Sequence, residues 1–248
     1  MDTALLRTEG LGKQFGSLAA VRGVDLEVVR AELRAIIGPN GAGKSTFFDL
    51  VTGRVFPTRG KVFFKGEEIT RLPPHEIVRR GIGRAFQLSR IFPSLSVIEN
   101  IQAAVQARHG LRSLFRDIAA LEDTWARAGE IAGDVGLGAK VDLKSSDLSH
   151  GDQRLLEVGV ALGTDPELLL LDEPTAGLSP SETRATVDLV RKLAAARTIV
   201  LVEHDMKVVM SLATRITVLH QGQVIATGAP EEVVRDEEVR RVYLTRGV

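Results

Sequence analysis

A short apolar strand that runs into a glycine-rich turn and then into a helix constrains this chain more than any other feature. Residues 33–37 have strand character, and residues 45–51 have the pattern of the helix that follows. Between them stands the run Gly38, Pro39, Asn40, Gly41, Ala42, Gly43, Lys44, Ser45, Thr46. This run matches G-x-x-x-x-G-K-[ST], the phosphate loop, in which backbone N–H groups and a helix N-terminus surround an anion.

The residue types in this loop fit a nucleotide phosphate with a divalent cation. Lys44 would place a positive charge on the β- and γ-phosphates, and the Ser45 hydroxyl would ligate Mg²⁺. The alternative is a tight glycine-rich turn that binds nothing. A dinucleotide-binding fingerprint does not fit, because Thr46 stands where that pattern needs Gly or Ala.

Two adjacent carboxylates, Asp172 and Glu173, follow four consecutive leucines at residues 168–171. Ligand sites of α/β proteins lie at the carboxyl ends of such buried strands. Because side chains alternate along a strand, the two carboxylates point in different directions. One carboxylate can bind Mg²⁺ or its water ligands while the other contacts an attacking water. The alternative is that both carboxylates lie in a solvated turn before the next helix.

The remaining pattern predicts an α/β fold with a mostly parallel sheet, because short apolar runs alternate with amphipathic segments. Residues 168–171 and 198–202 are apolar enough to be central strands. Residues 5–29 and 62–64 are predicted as antiparallel strands, and Gln221-Gly222 as a hairpin turn. Residues 97–163 contain no convincing strand, so they are predicted to form an inserted, mostly helical region.

Composition excludes several classes of site and partner. The chain has 248 residues and no cysteine, which excludes disulfide scaffolds, thiolate zinc sites and cysteine nucleophiles. Lys plus Arg and Asp plus Glu both number 32, so no basic excess favours nucleic acid as a partner. No apolar run approaches the roughly 18 residues that a membrane helix needs. We therefore expect a cytoplasmic chain that serves a membrane only through a partner.

A third element, Leu148-Ser149-His150-Gly151-Asp152, precedes an amphipathic helix. A serine that caps this helix would explain these residues by itself. The order of the three elements, however, resembles the ATP-binding subunit of ABC transporters. In that family a Leu-Ser-Gly-Gly-Gln signature closes over the γ-phosphate of ATP bound to a second copy of the domain, a role that falls here on Ser149 and Gly151. His150 and Asp152 depart from the family pattern, which has Gly and Gln there.

The resemblance implies a RecA-like P-loop NTPase core with an N-terminal antiparallel β region and an inserted helical subdomain. Residues 1–87 and 164–248 would form the core of one domain, and residues 88–163 the helical signature subdomain. Gln87 matches the glutamine that touches Mg²⁺ or water, and His204 matches the switch histidine near the γ-phosphate. Phe15 matches the aromatic residue that stacks on adenine, although it could be a buried strand residue, and Val21 would lie alongside the base.

The predicted activity is therefore ATP hydrolysis in a dimer, with ATP and Mg²⁺ as cofactors. Glu173 would polarise the water, and Lys44 and His204 would stabilise charge on the transferred phosphoryl group. Ser45, Asp172 and Gln87 would hold the metal ion. The second ATP-binding subunit would be an identical or a sister chain.

Several stretches are similar to the larger ATPase of branched-chain amino acid importers, among them residues 84–100, 148–157, 176–180 and 202–206. That similarity implies transmembrane permease subunits contacted between Gln87 and Asn100, an indirect link to a substrate receptor, and a place on the cytoplasmic face of the inner membrane. The cargo could also be urea, amides or other amino acids.

Two other classes remain as alternatives. An ATPase of lipid or lipopolysaccharide export has a similar build, but the long insertion at residues 106–143, before the signature, argues against it. A soluble ABC-type ATPase of DNA repair or translation usually carries two nucleotide domains, coiled coils or zinc insertions, which this sequence lacks.

Overall fold

The structure is a computed structural model that describes residues 4–85, 91–108 and 118–244. The strands are β1 (Leu6–Phe15), β2 (Leu18–Val28), β3 (Leu33–Ile37), β4 (Arg59–Phe64), β5 (Glu67–Glu68), β6 (Ile82–Ala85), β7 (Leu168–Asp172), β8 (Thr198–Val202), β9 (Arg215–His220) and β10 (Gln223–Gly228). The helices are α1 (Lys44–Val51), α2 (Pro74–Arg80), α3 (Val97–Arg108), α4 (Ile118–Asp134), α5 (His150–Gly163), α6 (Pro180–Ala194), α7 (Met206–Leu212), α8 (Pro230–Arg235) and α9 (Glu237–Leu244).

The central sheet has the strand order β10-β9-β3-β8-β7-β6. Strands β9, β3, β8, β7 and β6 are parallel, and β10 pairs with β9 as an antiparallel edge. This arrangement confirms the predicted mostly parallel sheet and the hairpin. The carboxyl ends of β3, β7 and β8 meet at one edge, so the loops that follow these strands lie together.

The central strands are buried on both faces, which explains why they read as continuous apolar runs. On β7, Leu169 and Leu171 belong to a core cluster that includes side chains of α3, α4 and α5. Leu168 and Leu170 point the other way, into a second cluster formed with α1 and the antiparallel sheet. The sheet therefore lies between two hydrophobic cores.

The second sheet is antiparallel, with the order β2-β1-β4-β5, as residues 5–29 and 62–64 predicted. Register shifts interrupt the pairing of β1 with β2 at three places. Such irregularities change which face of a strand a given residue occupies.

Residues 97–163 contain helices α3, α4 and α5 and two 3₁₀ turns, Gly138–Lys140 and Ser145–Asp147, which confirms the helical prediction for the part of this region that is described. The three helices pack against one another through apolar side chains such as Ile101, Ala128 and Leu156. Within the described ranges, no helix combines the length and the apolar character needed to cross a membrane.

Candidate functional site

The phosphate-loop residues lie between β3 and α1, and two glycines make their path possible. Gly38 has a φ of 154°, and a Cβ atom there would stand 2.1 Å from the carbonyl oxygen of Leu219. Gly43 has a φ of 101°, and its Cβ would stand 2.4 Å from the carbonyl oxygen of Ala20. Only glycine combines this backbone conformation with so close an approach, so the two motif glycines are required by the fold.

A cavity of about 470 Å³ opens over this loop. Its walls are Leu18, Ala19, Ala20, Arg22, Asn40, Gly41, Ala42, Gly43, Lys44, Ser45, Thr46, Glu173, His204 and Gln221. The loop, Glu173 and His204 therefore come together as the sequence predicted. Arg22 and Gln221 were not predicted; each belongs to a strand or turn that only the tertiary fold brings to the loop.

The Lys44 side chain is buried and points back onto its own loop. Its Nζ donates hydrogen bonds to the carbonyl oxygens of Gly38 at 2.7 Å and Pro39 at 3.1 Å. Burial lowers the pKa of the Lys44 ammonium, and the nearby carboxylates of Glu173 and Asp172 oppose that shift. The positive charge thus stands at the cavity within electrostatic reach of both carboxylates that the sequence singled out.

Asp172 ends β7 and is not among the cavity walls, and its carboxylate is held by Arg84. Oδ2 of Asp172 accepts a hydrogen bond of 2.7 Å from the Arg84 guanidinium, which donates a second one of 2.7 Å to Asp49 Oδ1. Oδ1 of Asp172 is buried and has no hydrogen-bond partner among the described residues. Such an orphaned oxygen fits a divalent cation, which binds to one or two carboxylates and completes its shell with water and phosphate.

Glu173 follows β7 in a left-handed conformation with a φ of 52°, which is uncommon for a residue with a side chain. Its Oε1 lies 2.7 Å from Nε2 of His204, the second residue after β8. Both side chains line the cavity. Strained backbone of this kind occurs where a functional side chain must be aimed.

Glu203 anchors the two loops that carry Glu173 and His204, a role that the sequence analysis did not identify. Its buried carboxylate accepts hydrogen bonds from the backbone N–H of Thr175 at 3.0 Å and from the Thr175 hydroxyl at 2.6 Å. The other carboxylate oxygen accepts from the backbone N–H of His204 at 3.0 Å. The available signal was an acidic residue at the end of a fully buried strand.

Phe15 is 47% exposed, so it is not the buried strand residue considered as its alternative, and it is not among the cavity walls. It pairs with Leu18 across the β1–β2 turn, and Leu18 lines the cavity. The placement of Val21 beside the base is not supported, because Val21 is 3% exposed and packs into the core. Strand alternation turns Ala20 and Arg22 toward the cavity instead.

The signature residues lie at the start of α5 and are not among the cavity walls. Ser149 caps this helix by accepting a hydrogen bond of 3.1 Å from the backbone N–H of Asp152. The Asp152 carboxylate in turn accepts from the Ser149 hydroxyl at 2.9 Å and from Lys140 at 2.5 Å. Gly151 packs so closely on Glu182 of α6 that any side chain would displace it. Gln87 lies outside the described residues.

Comparison with known proteins agrees with this geometry. A family described as "ABC transporter" matches residues 21–176, and one described as "Branched-chain amino acid ATP-binding cassette transporter" matches residues 223–244. The chain is 40% identical to the high-affinity branched-chain amino acid transport ATP-binding protein LivG of Escherichia coli K12, over 98% of this chain and 99% of that protein. It is 34% identical to the lipopolysaccharide export system ATP-binding protein LptB of Acidithiobacillus ferridurans, over 97% and 96%.

Solved structures give the same answer. The ADP conformation of MJ1267, an ATP-binding cassette of an ABC transporter, matches with a TM-score of 0.85 and 32% identity, over 98% of this chain and 99% of that chain. The dimeric structure of MJ0796, a bacterial ABC transporter cassette, matches with a TM-score of 0.80 and 26% identity, over 91% and 98%. The predicted fold class and activity are thereby confirmed, and the chain belongs to the ABC transporter family as an ATP-binding and ATP-hydrolysing cassette.

Proposed function

We propose that ATP binds in the cavity over the phosphate loop and is hydrolysed by a water that Glu173 activates. The observation that carries this proposal is the contact between Glu173 and His204 at the mouth of that cavity. Water attacks the γ-phosphorus, the bond to the ADP oxygen breaks, and Glu173 takes the proton of the water. Lys44 and His204 would stabilise the charge on the transferred phosphoryl group.

The proposed site would also bind Mg²⁺, because the side chains available there offer the oxygen ligands that this cation prefers. Ser45 on α1 and the orphaned Oδ1 of Asp172 are hard oxygen donors, and Gln87 is the third proposed contact. The cation would supply charge neutralisation at the phosphates. No group of three or more metal-binding side chains occurs in residues 4–85, 91–108 and 118–244, so waters and phosphates would complete the shell.

The base of the nucleotide would stack on Phe15, whose exposed ring stands beside the cavity wall at Leu18. Lys13 Nζ lies 5.0 Å from the centre of that ring on one side of the hairpin. Base stacking on an aromatic ring contributes about 1–3 kcal/mol per base and requires no hydroxyl, so phenylalanine suffices.

The proposed active form is a dimer in which Ser149 and Gly151 of one subunit cover the γ-phosphate on the other. Two observations support this: both residues lie away from the cavity of their own chain, and they open α5, whose N-terminus favours an anion. The related cassette MJ0796 is described as dimeric. The second subunit is an identical or a sister chain.

We further propose that the dimer drives import of branched-chain or related amino acids from the cytoplasmic face of the inner membrane. The similarity to LivG and the family match at residues 223–244 support this cargo. Export of lipopolysaccharide is the alternative, because the chain is also similar to LptB. Uptake of labelled leucine by cells in which this chain replaces LivG would support import; failure with wild-type levels of folded protein would contradict it.

Permease subunits would dock beside residues 88–163, the proposed helical signature subdomain, with residues 1–87 and 164–248 as the core. A mostly apolar cavity of about 330 Å³ lies there. Ile77 and Ile82 line its core side, and Ile91, Ala104 and Val160 line its helical side. Ile91 belongs to the Gln87–Asn100 region that is expected to receive cytoplasmic loops. A substrate receptor would act only through the permease.

Replacing Glu173 with glutamine tests the hydrolytic role. The amide cannot take a proton, so turnover should fall by about 10²–10⁴-fold while ATP binding measured by calorimetry survives. Turnover within threefold of the wild-type rate would remove Glu173 from the proposed role.

A further inference from the structure

Arg84 on β6 connects the phosphate-loop helix with the end of β7. The Arg84 side chain is 6% exposed, and its guanidinium donates to Asp49 Oδ1 on α1 and to Asp172 Oδ2, both at 2.7 Å. The guanidinium also lies over the ring of Phe48, 5.4 Å from its centre. One rigid fork therefore sets the distance between two elements that face the same nucleotide phosphates.

The Asp172 carboxylate that Arg84 holds has only one of its two oxygens hydrogen-bonded to a described side chain. The Asp172 side chain is 3% exposed, one of its oxygens is engaged by Arg84, and the other has no hydrogen-bond partner among the described residues. A buried carboxylate oxygen without a partner is costly, and a cation at that oxygen removes the cost. Since Arg84 engages Oδ2, Oδ1 is the oxygen that is left for a cation.

We propose that Arg84 is a positioning residue for the metal ion. It fixes the carboxylate of Asp172 through Oδ2, leaves Oδ1 for Mg²⁺, and takes its own orientation from Asp49. The inference rests on the proposed function, because it takes Asp172 as a metal ligand. It adds two residues, Arg84 and Asp49, that act on the metal through another side chain.

If Arg84 acts through its charge, its removal should change the affinity for a divalent cation in one direction, and if it acts by positioning Asp172, in the other. The two roles can therefore be distinguished by experiment. If Arg84 acted only as a nearby positive charge, its removal would strengthen binding of a divalent cation to Asp172. If Arg84 positions Asp172, its removal weakens cation binding, and so does Arg84→Lys, which keeps the charge but cannot bridge two carboxylates with a planar fork. Asp49→Asn should act in the same direction because it releases one end of the fork.

The measurement is a titration of the full-length chain with Mn²⁺, followed by electron paramagnetic resonance, in the presence of a non-hydrolysable ATP analogue. Loss of a residue that orients a metal ligand typically lowers metal affinity by about 10–100-fold, and we expect such a loss for Arg84→Lys, Arg84→Met and Asp49→Asn. The matched control is Arg80→Lys, because Arg80 makes a half-exposed pair with Glu76 of its own helix. Affinity is compared under conditions in which circular dichroism shows every variant folded.

Three results would overturn the inference: tighter Mn²⁺ binding by Arg84→Met, wild-type affinity in Arg84→Lys and Asp49→Asn, or variants that change only the unfolding midpoint. Failure of the underlying function is distinguishable. If the wild-type chain binds Mn²⁺ no more tightly with the nucleotide than without it, the metal role of Asp172 itself is wrong.

Discussion

Replacing Glu203 with glutamine should destabilise the protein by about 2 kcal/mol, although the two side chains have the same shape. The Glu203 carboxylate is 4% exposed and accepts three hydrogen bonds, two from Thr175 and one from the backbone N–H of His204. A glutamine amide has one acceptor oxygen and one NH₂ group. Whichever way the amide turns, at least one backbone N–H in this buried place faces another donor.

The magnitude follows from the hydrogen bonds that are lost. A hydrogen bond to a charged group contributes about 1.5–3 kcal/mol, and an unsatisfied buried donor costs a similar amount. Glutamine loses one such bond, so about 2 kcal/mol is expected, whereas Glu203→Ala loses all three and leaves a cavity, so about 4 kcal/mol is expected. Because Glu203 also holds the loops of Glu173 and His204, turnover should fall by about tenfold in Glu203→Gln.

Urea unfolding followed by circular dichroism gives the free energies of unfolding. Glu130→Gln is the matched control, because Glu130 makes an exposed ion pair with Arg127 of the same helix, and such pairs contribute about 0–1 kcal/mol. If Glu203→Gln unfolds within about 0.5 kcal/mol of Glu130→Gln, the interpretation of Glu203 as an anchor of both loops is refuted.

Three further predictions concern other parts of the site. Gly38→Ala should weaken ATP binding in calorimetry by at least about tenfold, since its Cβ meets the Leu219 carbonyl, whereas Gly129→Ala, with open space around it, should keep wild-type affinity. Phe15→Ala should lose about 1–3 kcal/mol of ATP binding and Phe15→Tyr almost none; equal affinities would place the base elsewhere. Burial raises the pKa of Asp152, but hydrogen bonds from Lys140 and Ser149 outweigh it and lower this pKa below its ordinary value of 3.8. The stabilisation that the Asp152 carboxylate gives is therefore present at neutral pH and is lost as the pH falls below that value. Unfolding of Lys140→Met across pH 2–7 should show a smaller loss, and parallel curves would contradict this origin.

The parts of the fold that could be predicted from sequence are those whose causes are local. The leucines of β7 are explained by burial of the strand on both faces, and the glycines of the phosphate loop by a backbone that needs positive φ. Both causes can be recognised in a few consecutive residues. The capping box at Ser179 and Glu182 is equally local, because the two residues are three positions apart in the chain.

What could not be predicted depends on residues far apart in the chain. Arg84 meets Asp49 and Asp172, which neither strand pattern nor motif connects. Glu203 and Thr175 come together only because β7 and β8 are neighbours in the sheet. The side of β2 that reaches the cavity depends on the register shifts between β1 and β2; it carries Ala20 and Arg22, whereas Val21 is buried.

The left-handed backbone at Glu173 has a consequence for how this protein responds to selection. Holding a residue with a side chain at a φ of 52° costs on the order of 1–3 kcal/mol, which glycine would not incur. A laboratory search for thermostable variants alone would therefore favour loss of the very carboxylate on which turnover depends. Heat tolerance and activity compete at this one position, and screens of this chain need an activity filter to keep both.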